Sequence, residues 1–183
     1  MSTLKLNNLE AATGTTINIA SGDKISGASG SIAVPGSAVQ VLSTTKVDDH
    51  FQSTSTSFVD VTGVTLTIVP KFSTSKILAT VSGAFGVSAP SRIAMFNLVR
   101  GSTNLGQPTS AKSFSSTRTM YNNAGDELHQ LHIEFLDSPA TTSSTVYKLQ
   151  MRTNNSDNTL FLGDRSSEDC RQGTTLTLME IAQ

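Results

Sequence analysis

The residues best equipped for chemistry in this chain are three histidines and a few neighbouring carboxylates. His129, His132 and Glu134 form the one cluster of metal-binding side chains. On a strand, positions 129 and 132 point to opposite faces, so these two imidazoles cannot share an ion. His132 and Glu134 share a face, but two ligands do not make a site. The expectation is a polar strand face with a His132–Glu134 hydrogen bond, no metal and no cofactor. Serines are abundant, yet none sits in the G-x-S-x-G elbow of a nucleophilic hydrolase. Glycoside hydrolysis needs two carboxylates flanking the scissile bond. Asp48-Asp49, Asp126-Glu127 and Glu168-Asp169 are instead adjacent in sequence, the pattern of solvated turns. Gly27-Ala28-Ser29-Gly30 lacks the lysine and helix of a phosphate loop. Cys170 is the single cysteine, which excludes an intrachain disulfide and leaves a thiol without a role. The chain reads as non-enzymatic.

Recognition is the chemistry that remains. Residues 101–126 carry Phe114 and Tyr121 among Ser, Thr and Asn, a mixture suited to polar contacts around an aromatic anchor. Asp164, Arg165, Glu168, Asp169 and Arg171 make a compact charged loop. Both are candidate contact loops, although ordinary solvated loops have the same composition.

The elements that carry these loops alternate with a period of two. In residues 76–87, Ile77, Ala79, Val81, Phe85 and Val87 share one face, interrupted only by Gly83. After Pro90 a second strand, 92–100, is apolar on both faces and is expected to be covered on both. These two are the predicted central strands. Further strands are predicted at 38–47, at 58–61 and 64–68 around Gly63, irregularly at 115–121, at 127–136, 146–152, 160–162 and 174–181. No segment has a helical period. The predicted fold is all-β, a jelly-roll β-sandwich of about eight strands.

Hydrophobic residues make up 37% of the chain and charged residues 15%, too little apolar material for a self-sufficient globule. The net charge of -1 is unlike that of a disordered chain. The expectation is that neighbouring copies complete the interior. The strand at 174–181 is apolar on both faces, so Met179 and Ile181 are the predicted subunit interface. A pI near 6.3 provides no basic face for nucleic acid. No apolar run approaches the roughly 20 residues of a membrane span, and MSTLKLNNLE does not read as an export signal.

Residues 1–36 differ from the remainder. Leu4, Leu6 and Leu9 are followed by short aliphatic pieces set off by glycines, among them Ile17 and Ile19, and Pro35-Gly36 closes the segment. The segment reads as an extended arm or thin β-shaft in which several chains pool their isoleucines. A tail that orders only on docking is the other reading. The predicted division is an arm at 1–36 and a sandwich at 37–183.

Four blocks, MSTLKLNNLEAATGTT, STSTSFVDVTGVTLTIVPKFSTSKILATVSG, HIEFLDSPATTSSTVYKLQMRT and GTTLTLMEI, resemble fibre and appendage proteins of marine tailed bacteriophages, cyanophages in particular. They cover most of the chain in the right order and contain no catalytic motif. The resemblance implies a virion structural protein, commonly a homotrimer, with an N-terminal attachment segment and a head similar to C1q/TNF-like jelly rolls. It implies that Leu4, Leu6, Leu9, Ile17 and Ile19 dock on another virion protein. Phe114, Tyr121, Asp164, Arg165 and Arg171 would then meet a host-surface glycan or protein. Such a protein is assembled in the host cytoplasm and exposed on the released particle. A tail fibre is the leading form; a head fibre or capsid decoration protein shares the same modules.

Overall fold

The structure, a computed structural model, describes residues 21, 25–27, 34–109, 112, 115–125, 127–165 and 170–183. The chain divides into two units, Met1–Ile32 and Ala33–Gln183. Leu4, Leu6, Leu9, Ile17 and Ile19 lie outside the described residues, and so does Phe114.

The second unit is all-β. Its strands are β1 (Ala38–Lys46), β2 (Phe51–Ser53), β3 (Val59–Ile68), β4 (Lys76–Val87), β5 (Arg92–Arg100), β6 (Thr103–Leu105), β7 (Arg118–Asn122), β8 (Leu128–Asp137), β9 (Thr145–Thr153), β10 (Leu160–Leu162) and β11 (Thr174–Ile181). They form two antiparallel sheets packed as a jelly-roll sandwich. β4 is the hub of the first sheet. β8 takes one of its edges from Ile77 to Gly86; β11 and β10 share the other. β1 flanks β11 and β2 flanks β10. The second sheet runs β3-β9-β5, with β7 and β6 along the far edge of β5.

The pairing is a single fold-over. β5 pairs with β7, β4 with β8, β3 with β9, β2 with β10 and β1 with β11, each hairpin nested inside the next. The two predicted central strands, β4 and β5, are central to different sheets. Gly63 sits inside one strand rather than between two: its φ of 88° accommodates an irregularity of register between Asp60 and Thr65.

The core lies between the sheets. Ile77, Ala79, Val81, Phe85 and Val87 of β4 are fully buried, as are Tyr147, Leu149 and Met151 of β9 and Leu176 and Leu178 of β11. Phe85 and Phe96, one from each sheet, meet edge-on with ring centroids 5.0 Å apart. Burying each large aliphatic or aromatic side chain contributes about 1.5–3 kcal/mol. One copy therefore closes its own core, contrary to the expectation drawn from the 37% hydrophobic share. Period-2 strands aim nearly every large apolar residue inward, so a low share suffices. β5 is buried on both faces as expected; on the reverse, Asn97 Oδ1 accepts the Thr117 N–H at 3.1 Å.

The strands define two poles. At the first, Gly36 N–H donates to Ala182 O and Ala182 N–H to Ser37 O, fastening the start of the sandwich beside its last strand. Glu180, fully buried there, accepts the N–H groups of Lys71 and Phe72 at 2.7 and 3.2 Å and Gln40 Nε2 at 2.6 Å. Burial opposes its ionisation, but Gln40, the Ser75 hydroxyl and the two N–H groups outweigh that and hold its carboxyl below the usual range. Asp137, on β8 across Ile77 from Glu180, accepts Arg100 Nη1 on both carboxylate oxygens and the hydroxyl of buried Tyr147 at 2.7 Å. Burial, with the Asp137 carboxylate, pushes that phenol well above its ordinary value. The opposite pole gathers the described residues 47–50, 88–91, 123–125, 154–159, 163–165 and 170–173, beyond the pairs Lys46↔Thr174, Arg92↔Asn122 and Val87↔Leu160.

Candidate functional site

Two surfaces stand out, one on the outer face of the first sheet and one at the second pole. Strand register builds the first. Residues directly opposite in an antiparallel pair share a face, and Val41 pairs with Met179, Met179 with Leu78, and Leu78 with Leu136. Since Leu176 and Leu178 point inward, this row points out. Val41 is 52% exposed and Leu136 47%, with Met179 and Leu78 half-buried between them. Ile181 follows Met179 on the same face. The next row toward the second pole is Ser43, Thr177, Thr80 and Glu134, and beyond it come Thr45, Thr175, Ser82 and His132. The face thus grades from apolar at the first pole to hydroxyl-rich toward the second. Met179 and Ile181, predicted as an interface, belong to its apolar end.

The second surface is a basin where residues 47–50 meet residues 163–165 and 171–173. Gly163, at φ 79°, accepts Gln172 N–H through its carbonyl and donates its own N–H to Ala84 O. Asp164 and Arg171 then form an isolated β-bridge that closes the base of the loop. The loop crosses β4 so closely that a Cβ on Gly86 would lie 2.8 Å from Asp164 O. Glycine is required there because the backbone itself is the obstacle. His50 Nδ1 lies 3.1 Å from Asp49 Oδ1 and 3.3 Å from Asp164 Oδ2. Arg171 spans the same two carboxylates, Nη1 at 3.3 Å from Asp49 and Nε at 3.7 Å from Asp164. Lys46 Nζ holds Asp48 Oδ1 at 2.5 Å and lowers that carboxyl's pKa. Between these groups, Leu162 and Thr174 lies a cavity of about 180 Å³.

The predicted contact residues divide between the two sheets. Asp164, Arg165 and Arg171 belong to the basin loop, whereas Tyr121 is an exposed residue of β7 on the second sheet. Asp164 needs correction as a contact residue. It is completely buried, because its loop folds back over β4, so it orients His50 and Arg171 rather than meeting a partner itself. Asp49 and His50 were missed. An adjacent acid pair reads as a turn, and nothing local announces that it faces a loop more than a hundred residues later. Val41, Leu78 and Leu136 were legible as apolar residues on otherwise polar strand faces, but joining them into one row requires the register.

The predicted opposition of His129 and His132 holds: His129 turns inward and stacks on Phe85, while His132 is exposed. The His132–Glu134 hydrogen bond is not formed among the described residues; His129 Nε2 instead meets Asn122 Oδ1 at 2.7 Å. Among the described residues no group of three His, Cys, Asp or Glu side chains is gathered for a metal. No protein-family model matches the chain, and no curated protein matches it.

Proposed function

We propose that this chain is a non-enzymatic structural protein of a tailed-bacteriophage virion, a homotrimeric tail fibre or its distal head. It joins another virion protein through its N-terminal segment and meets the host surface with loops of the second pole. The observation that carries the reading is the outward row Val41–Met179–Leu78–Leu136, extended by Ile181. A self-contained sandwich has no use for apolar side chains there, and water-exposed rows of this kind are what subunit contacts bury. The polar arrangement agrees with it. The sandwich starts at the pole of Gly36 and Ala182, whereas the described contact residues Arg165 and Arg171 lie at the other pole. The phage-appendage resemblance of the sequence supplies the biological setting.

The test is the solution mass of the isolated protein by light scattering, beside Met179→Ser/Ile181→Ser. The trimer mass is expected for the wild type and the monomer mass for the variant, with the thermal transition retained. A monomeric wild type at micromolar concentration overturns the reading. Copies per particle, counted by mass spectrometry, separate a fibre, present in few copies, from a capsid decoration protein present in many.

A further inference from the structure

The geometry points to the second-pole basin as a binding site for a single neutral sugar ring, held across Asp49 and Arg171. The inference rests on the reading of that pole as the host-facing end. Three features carry it. The first is balance. Lys46 and Arg171 stand against Asp48 and Asp49 around the cavity, with Asp164 buried behind. A free anion would have to take Arg171 from two carboxylates, and a bare cation would have to displace Arg171 and Lys46 from theirs. A hydroxyl group avoids both costs, since it donates and accepts at once. Two vicinal hydroxyls can donate a hydrogen bond to Asp49 and accept one from Arg171 without changing the net charge of the basin.

The second feature is polar capacity left unspent. Thr174 lines the cavity and is 2% exposed as a residue, and its hydroxyl, buried over Gly83, makes no hydrogen bond. His50 Nδ1 and Asp164 Oδ2 are also buried without a hydrogen bond of good geometry, although they lie at ion-pair distance from each other. Buried polar atoms are nearly always satisfied, so a cluster of such atoms marks a place where a polar guest completes the set. The third feature is size and lining. About 180 Å³ is below the 300–1,000 Å³ typical of drug-sized ligands and suits one ring rather than an oligomer. Leu162 and the 81%-exposed Val47 give the cavity an apolar side for the C–H face of a pyranose.

The experiment is saturation-transfer NMR on the full-length protein with methyl pyranosides of the common neutral hexoses and one uronic acid. Asp49→Asn and Arg171→Ala test the basin. Asp60→Asn, which removes an exposed carboxylate on the other sheet, serves as a control. At least one neutral pyranoside is expected to show transfer that falls about tenfold in affinity in both basin variants, the loss of one charge-assisted hydrogen bond, and survives in Asp60→Asn. Three results overturn the inference: no transfer to any sugar, equal transfer in Asp49→Asn, or displacement of the sugar by inorganic phosphate at matching concentration. The appendage reading fails separately, through a monomeric protein or one missing from particles, and either failure leaves the sugar result interpretable.

Discussion

Glu180 offers the sharpest test of the structure, because a buried carboxylate with three donors is easy to unbalance. In Glu180→Gln the remaining oxygen can still accept the N–H groups of Lys71 and Phe72, now as neutral rather than charge-assisted bonds. The new amide N–H₂ turns toward Gln40 Nε2, which is already committed to Val69 O at 2.8 Å, so two donors face each other. Bonds to a charged group contribute about 1.5–3 kcal/mol and neutral ones about 0.5–1.5 kcal/mol. Weakening two bonds and losing a third should therefore cost about 3 kcal/mol at neutral pH. For a chain of this size that is a Tm lower by roughly 6–12 °C. The folded carboxyl titrates below its ordinary value of 4.5. Its stabilisation is therefore complete above that value and disappears as the pH falls through the folded pKa, where the wild type also becomes neutral. Urea unfolding of both proteins at neutral pH and near pH 3 reads this directly. The stability gap should narrow in acid. A gap that is equally large at both pH values, or absent at neutral pH, would refute the charge-assisted clamp.

The other predictions are briefer. Leu136→Lys should lower the solution mass of the assembly while leaving the urea midpoint within about 0.5 kcal/mol, since exposed sites tolerate substitution; unchanged mass would remove Leu136 from the interface. Gly163→Ala must hold an L-residue at φ 79° with its Cβ 2.7 Å from Gln172 O, so protection of the Gln172 amide from hydrogen exchange should drop sharply. Retained protection would mean the loop closes some other way. Tyr147→Phe removes one bond to the Asp137 carboxylate while the bifurcated Arg100 contact stays, and a loss of about 2 kcal/mol in urea unfolding is expected; a loss several times larger would mean that the hydroxyl supports more than Asp137. Deleting residues 1–35 should leave a soluble head that no longer joins particles, and normal incorporation would dispose of the arm as the attachment segment.

Much of the sandwich was legible because alternation is a local property. β11 emerges with its predicted bounds and β9 one residue longer at each end, since the alternation of Tyr147, Leu149 and Met151 in the one and of Leu176 and Leu178 in the other is read within a few residues. β2 and β6 were not foreseen. Phe51-Gln52-Ser53 and Thr103-Asn104-Leu105 each hold a single large apolar residue, unlike Leu160-Phe161-Leu162, and both are strands because β10 and β5 offer them an edge. The sites were less legible than the strands. The apolar row needs four strands in register, and the basin needs residues 47–50 to meet residues 171–173 through the pairing of β1 with β11. Such long-range facts do not reside in any window of sequence. Asp164 shows the hazard in the other direction: a charged loop residue looks exposed until a glycine on a distant strand lets its backbone pass beneath the surface.

The nested fold-over has a consequence for biosynthesis. β11 lies between β1 and β4 in the middle of its sheet, yet it is the last strand of the sandwich to be translated. Until it inserts, β1 and β4 each present an unpaired edge to solvent, and that is the condition in which sheets recruit strangers. A ribosome that stops anywhere before residue 174 therefore releases a product with an open seam rather than a slightly shortened head. Only chains translated through β11 acquire the closed sheet, and with it the continuous outer row of Val41, Met179, Leu78 and Leu136.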